Sequence, residues 1–258
     1  MSAPRCRLTP LAFIALASTL AACASQGSKP AGLAPGADVV QVDVSTDYLP
    51  GSPVAIDIEN EGGHVSVIVD STLTKPVVRA TSLQSSRQRE AAPWAAATLS
   101  PSGVPAKEAA PILRVLASDL SQAKRRTNIE VRVPACAGLR VRNRDGGVSL
   151  NGVSGAIDVQ NGSPLASGGP ITLDTDIPLD APLLLRTSGG PIDVVLPVQS
   201  KLALKASSAE GSVIVNAMGV KTTGLAATKL SWQATVNAGH SEGTIATESG
   251  DVSIRFRQ

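Results

Sequence analysis

Catalysis needs reactive side chains held together, and this sequence offers few combinations that could be. His64 and His240 each follow a glycine, at Gly63 and Gly239. A serine–histidine–acid relay could be drawn from His64, Glu61 and one of many serines, but no Gly-x-Ser-x-Gly elbow accompanies it. Exposed turn histidines are therefore expected. Asp174, Asp176 and Asp180 crowd one turn, as the oxygen ligands of a calcium site do. Their spacing fits neither the EF-hand nor the Gly-Gly-x-Gly-x-Asp roll, so a polar turn without metal is expected. Cys136, between Pro134 and Gly138, reads as a small buried residue rather than a reactive thiol. No catalytic residue, cofactor or metal is assigned.

One cysteine has a different chemistry. Arg5 and Arg7 precede an apolar run from Leu11 to Leu20, which is too short for the roughly 20 apolar residues of a membrane span and has the layout of an export signal. It ends in Leu20-Ala21-Ala22-Cys23, which resembles the bacterial lipobox, where small residues admit the peptidase and the cysteine sulfur accepts lipid. Residues 1–22 are read as a lipoprotein signal peptide and Cys23 as the lipid anchor. A cut after Ala24 is the alternative, and it would discard Cys23. Each buried acyl methylene contributes about 0.8 kcal/mol, so several chains on Cys23 would hold the protein at a membrane. Ala24 is not the aspartate that retains similar lipoproteins at the inner membrane, which makes the outer membrane the expected location. Loss of Arg5 and Arg7 leaves 21 basic against 21 acidic residues. That balance gives no electrostatic footprint for nucleic acid, and Lys124-Arg125-Arg126 reads as a solvated turn.

Residues 23–37, rich in Gly, Pro and Ser, form a tether with a root-mean-square reach of about 20 Å. From Val39 onward, apolar and polar residues alternate over short stretches such as Val54–Ile58, Val65–Val67 and Ile129–Val133, the pattern of half-buried strands. Residues 38–134 read as an N-terminal β region in which Ile112–Ala117 is either strand or helix. In residues 135–258 the pattern repeats. Ser167-Gly168-Gly169-Pro170-Ile171 returns 21 residues later as Ser188-Gly189-Gly190-Pro191-Ile192, and Val213 follows Ile192 by another 21. A period near 20 marks stacked architectures. Each unit reads as two strands joined by a glycine turn, and stacking buries rows that one unit cannot bury alone. Val148, Ile171, Ile192 and Val213 should then share one interior column. The outward ladders should be Ser149, Thr172, Asp193, Ile214 and Arg140, Asp158, Leu184, Ala203, neither of which stacks two carboxylates for acid–base work. Outward Leu184 and Ile214 form the candidate contact surface.

Thr127–Pro164, IDIENEGGHVSVIV near the start and ESGDVSIRF at the end resemble the putative-adhesin family of β-strand-repeat domains in bacterial exported proteins, over roughly residues 39–258. The resemblance implies an all-β, right-handed β-solenoid or β-roll and carries no catalytic residues over; the Pro/Ala-rich stretch 85–123 departs from it. The expected function is a non-enzymatic envelope scaffold that binds a protein or glycan. A polysaccharide-acting enzyme and a structural protein assembling through a final rung near Phe256 are the alternatives.

Overall fold

A computed structural model of the chain describes residues 39–40, 42–44, 48–85, 88–91, 95–100, 110–117, 126–163 and 166–258. The segments read as signal peptide and tether, and Cys23, lie outside them. The described residues contain 21 strands and no helix. In chain order the first nine are β1 Val39–Val40, β2 Val42–Val44, β3 Val54–Asn60, β4 Val65–Val69, β5 Val77–Ser85, β6 Gln88–Ala91, β7 Ala95–Ser100, β8 Ile112–Ala117 and β9 Arg126–Val133. Next come β10 Cys136–Asn143, β11 Gly146–Asn151, β12 Ala156–Asn161, β13 Gly168–Asp174, β14 Leu183–Thr187 and β15 Ile192–Pro197. The last six are β16 Leu202–Ser208, β17 Val213–Asn216, β18 Thr222–Ala227, β19 Ser231–Val236, β20 Ser241–Thr247 and β21 Val252–Arg257.

The strands form two sheets. One has ten strands and runs β1-β5-β9-β4-β11-β13-β15-β21-β17 with β6 beside β5; the other has eleven and runs β18-β19-β16-β20-β14-β12-β10-β3-β8-β7-β2. Each rung of the column is a pair of consecutive strands, one per sheet, and successive rungs pair in parallel. This is the expected all-β solenoid. The interior column Val148–Ile171–Ile192 exists in register, and Val252 and then Val213 continue it. Ile171 and Ile192 are fully buried, and each such side chain contributes about 1.5–3 kcal/mol.

The order of rungs in space differs from the order in sequence at both ends. β8/β9 stacks outside β3/β4, and the last pair, β20/β21, lies between β14/β15 and β16/β17. The 21-residue period therefore places Val213 one rung too close to Ile192. Period reports the chemistry of a corner, and the corners at Gly211 and Gly250 are interchangeable in that respect. The division expected after residue 134 marks a change in regularity only, because β3 pairs with β10, β4 pairs with β11, and one aliphatic core spans both sides. Ile112–Ala117 is a strand, with Leu113 and Val115 buried.

The corner between sheets explains the glycines. At Gly146 φ is +101°, and an added Cβ would lie 2.2 Å from the carbonyl oxygen of Gly63 on the rung below. Backbone there packs on backbone, and only glycine permits both the approach and the dihedral. Antiparallel strands close the two ends: β5 and β7 at one, β19 and β18 at the other.

Candidate functional site

The outer side of the eleven-stranded sheet carries the ladder Arg114–Asp57–Arg140–Asp158–Leu184–Thr244–Lys205. The expected member Ala203 pairs instead with Glu242, because β16 sits two residues further along and brings Leu204, not Leu202, into line with Leu183 through Gly243. Charge alternates along the ladder. Asp57, 8% exposed, accepts from Arg114 Nε at 3.3 Å and faces Arg140 Nε at 3.4 Å, while Arg140 also reaches Glu59 at 2.7 Å. Arg142 holds Asp158 with two hydrogen bonds, of 2.9 and 2.5 Å. Arg140 stands between Asp57 and Asp158, so two carboxylates do not meet on this ladder. An acid–base pair needs such a meeting.

On the ten-stranded sheet the outward ladder is Glu130–Ser66–Ser149–Thr172–Asp193–Ser253–Ile214. It matches the expected order with Ser253 inserted, and Thr172 donates to Ser149 Oγ at 3.1 Å. The two residues chosen as a contact surface are on different sheets: Leu184 is half-buried in β14, whereas Ile214 is 62% exposed on β17. Met218, Leu225 and Leu230, 76%, 59% and 43% exposed, follow Ile214 in the chain, Leu225 on β18 at the edge of the eleven-stranded sheet and the other two in the connections beside β18. The strand edges there are blunted. Lys229 covers the start of β17 by accepting from the Val213 N–H at 2.9 Å, and β18 carries a register shift between Thr223 and Ala226, a device that discourages edge pairing. The strand that carries Phe256 is not terminal, since β21 lies between β15 and β17, with Phe256 paired to Leu196 one residue beyond the last β17 pair, Asn216–Arg255, so it does not form the open terminal rung that end-to-end assembly required.

The remaining sequence candidates are separated. His64 and His240 are exposed. Asp174 pairs with Arg257 at 2.8 Å, Asp176 is exposed, and the Asp180 carbonyl accepts from the Ser241 hydroxyl. Arg126 pairs with Asp145 at 2.8 Å; Lys124 and Arg125 lie outside the described residues. Cys136 is buried, its thiol is directed at the Gly138 carbonyl at 3.5 Å, and burial pushes its pKa up. Protonated thiol is a poor nucleophile.

A buried polar ladder escaped the sequence reading. Asn60, Asn143 and Asn161 end successive first strands, and their amides link at 3.0 Å each, Asn60 to Asn143 and Asn143 to Asn161. Each amide also serves corner carbonyls, and Thr187, Thr247 and Ser208 continue that service on later rungs. The signal is a polar residue three before the corner glycine, as in Asn60…Gly63, Asn143…Gly146, Thr187…Gly190, Ser208…Gly211 and Thr247…Gly250. The ladder stops at Asn60, whose Oδ1 is buried without a hydrogen bond because β8 places Ala117 alongside it.

No curated protein matches the chain. Among solved structures, a crystal structure of a "putative cell adhesion protein" from Clostridium sporogenes ATCC 15579 is similar, with a TM-score of 0.48 and 12% identity, covering 80% of this chain and 93% of that one. Residues 55–255 match the family model described as Toastrack DUF4097. That span runs from β3 into β21 and so touches every rung from β3/β4 to β20/β21, in agreement with the resemblance carried by Thr127–Pro164. The chain belongs to the Toastrack DUF4097 family.

Proposed function

We infer that this chain is a non-enzymatic scaffold of the bacterial envelope, held to a membrane by lipid on Cys23 and offering the end of its column to a protein partner. The observation that carries the reading is that the 17 residues from Ile214 to Leu230, which hold nearly all of β17 and the whole of β18, the terminal strands of the two sheets, leave Ile214, Met218, Leu225 and Leu230 each more than 40% exposed. Large apolar groups left exposed at one end of a fold are candidates for a contact site. The paired charges of the Asp57–Asp158 ladder support the absence of chemistry from the eleven-stranded side. The hydroxyl row Ser66, Ser149 and Thr172 favours a second reading, a glycan laid along the ten-stranded side.

The test uses lipidated protein in envelope extract and an Ile214→Ser/Leu225→Ser variant. Loss of a specific captured protein supports the reading, and retention of every captured protein by the variant refutes it. Lipidation is tested separately by acyl-chain labelling, which Cys23→Ala should abolish; outer-membrane placement, proposed from Ala24, is tested by membrane fractionation.

A further inference from the structure

The last strand pair is held in a slot between two rungs that precede it in the chain, β14/β15 and β16/β17. β15 and β17 both pair with β21 in one register, Ile192 and Val213 on either side of Val252. β14 and β16 likewise flank β20, with Leu184 and Lys205 on either side of Thr244. Gly250 packs its backbone on Gly190, and Gly211 packs on Gly250, so the corner is continuous through the inserted rung. The rung enters by a link of four residues, Asn237–His240, which leaves β19 on one side of β16 and reaches β20 on the other.

That link is strained. Asn237 and Ala238 have φ of 51° and 53° in a turn closed by the Gly239 N–H on the Val236 carbonyl at 3.0 Å; asparagine takes such values readily, whereas alanine rarely does, so the strain sits at Ala238. Gly239 crosses so close to the start of β16 that an added Cβ would lie 2.1 Å from Leu202 N. Asn237 holds the crossing by donating to the carbonyls of Val198 at 2.7 Å and Ser200 at 2.8 Å. A short connection under strain, followed by an element seated between earlier rungs, is the arrangement that favours exchange of that element between identical chains.

We propose that β20/β21 is an exchangeable rung, and that a second copy of this chain is its partner: two chains open at Asn237–His240 and each fills the other's slot. Every contact of the rung is retained in the exchanged dimer, and the left-handed dihedrals of Asn237 and Ala238 are released. This partner is distinct from the one proposed at Ile214 and Leu225, and the exchange stands whether or not the lipid anchor does.

Leu184 and Thr244 face outward on adjacent strands, with a spacing of about 4.8 Å that lies within disulfide range. Full chains carrying Leu184→Cys and chains carrying Thr244→Cys are unfolded, mixed in equal amounts and refolded at high concentration. Peptide mapping should then find a 184–244 linkage, which in this mixture joins two different chains. Chains mixed without unfolding should give none. The doubly substituted chain, refolded dilute, reports by its internal linkage that the substitutions are compatible with the fold. Ala238→Gly, which removes the dihedral penalty from the closed form, should lower the exchanged fraction about tenfold or more. Absence of the linkage from the refolded mixture while the double variant links internally overturns the proposal, and so does an exchanged fraction that Ala238→Gly leaves unchanged.

Discussion

The side-chain amide of Asn143 donates to the side-chain carbonyl of Asn161 at 3.0 Å inside a column filled mostly by Val, Ile and Leu. Asn143 also donates to the carbonyls of Gly63 at 3.2 Å and Asp145 at 3.1 Å and accepts from Asn60. Asn143→Ala should therefore lower stability by about 2–4 kcal/mol, since several buried groups lose their partner together. Urea unfolding followed by circular dichroism measures it; a loss below 1 kcal/mol would mean that water replaces the amide.

Corner glycines should differ sharply from a glycine elsewhere. Gly146→Ala meets the Gly63 carbonyl and needs a left-handed alanine, so a loss above about 3 kcal/mol is expected. Gly224 has φ of +66° with nothing within 4 Å of an added Cβ, so Gly224→Ala should lose only about 1–2 kcal/mol. Thermal melts of the two variants compare them directly, and equal losses would contradict the backbone-on-backbone corner.

Cys136 gives stability a pH dependence at the alkaline end. Burial raises its pKa in the folded chain above the ordinary 9.0. Above about pH 9 the unfolded chain releases the thiol proton while the folded chain keeps it, so stability falls as pH rises through that window and is unaffected by this group below it. In Cys136→Ala the decline between pH 8 and pH 10 should be shallower, as measured by denaturant midpoints. A slope identical to that of the unsubstituted chain would remove the thiol as a cause.

Ion pairs on the two sides of the molecule should be unequal. Arg140 serves both the buried Asp57 and Glu59, and Arg140→Ala should cost about 1–2 kcal/mol because Asp57 keeps one guanidinium in place of two. Arg126→Ala, at an exposed pair with Asp145, should cost about 0.5 kcal/mol or less. Unfolding at low and high salt distinguishes the pairs; an Arg126→Ala loss as large as that of Arg140→Ala would contradict the difference in burial.

Local pattern made much of this architecture legible. Alternation around Val148, Ile171 and Ile192 gave the interior column, and the glycine corners gave the stacking, because period-2 burial and backbone close approach both leave traces in residue type. Neighbour relations were less legible. Two rungs with equivalent corners, at Gly211 and Gly250, cannot be ordered by corner chemistry, so the position of β20/β21 depended on the Asn237–Gly239 crossing. The ladder error at Ala203 had a related source: Leu202 and Leu204 both face inward, and only the close fit of Leu204 over Gly243 selects between the registers. The asparagines were overlooked because polar residues beside glycine read as turn residues, and their burial comes from the rungs above and below. Ile214 was legible as exposed, but its association with Met218, Leu225 and Leu230 was not.

The placement of β20/β21 also governs when the column can close during synthesis. Strands β14 to β17 leave the ribosome before the rung that separates them, so for that interval the nascent chain holds two aliphatic rows that lack their native common neighbour. Native pairing on the two facing edges must wait for the segment ending at Arg257, although β14, β15 and β16 already have β12, β13 and β19 on their other sides. A translation product cut short after Ser231 would retain most of its buried hydrophobic residues and still lack the rung that native β14/β15 and β16/β17 share.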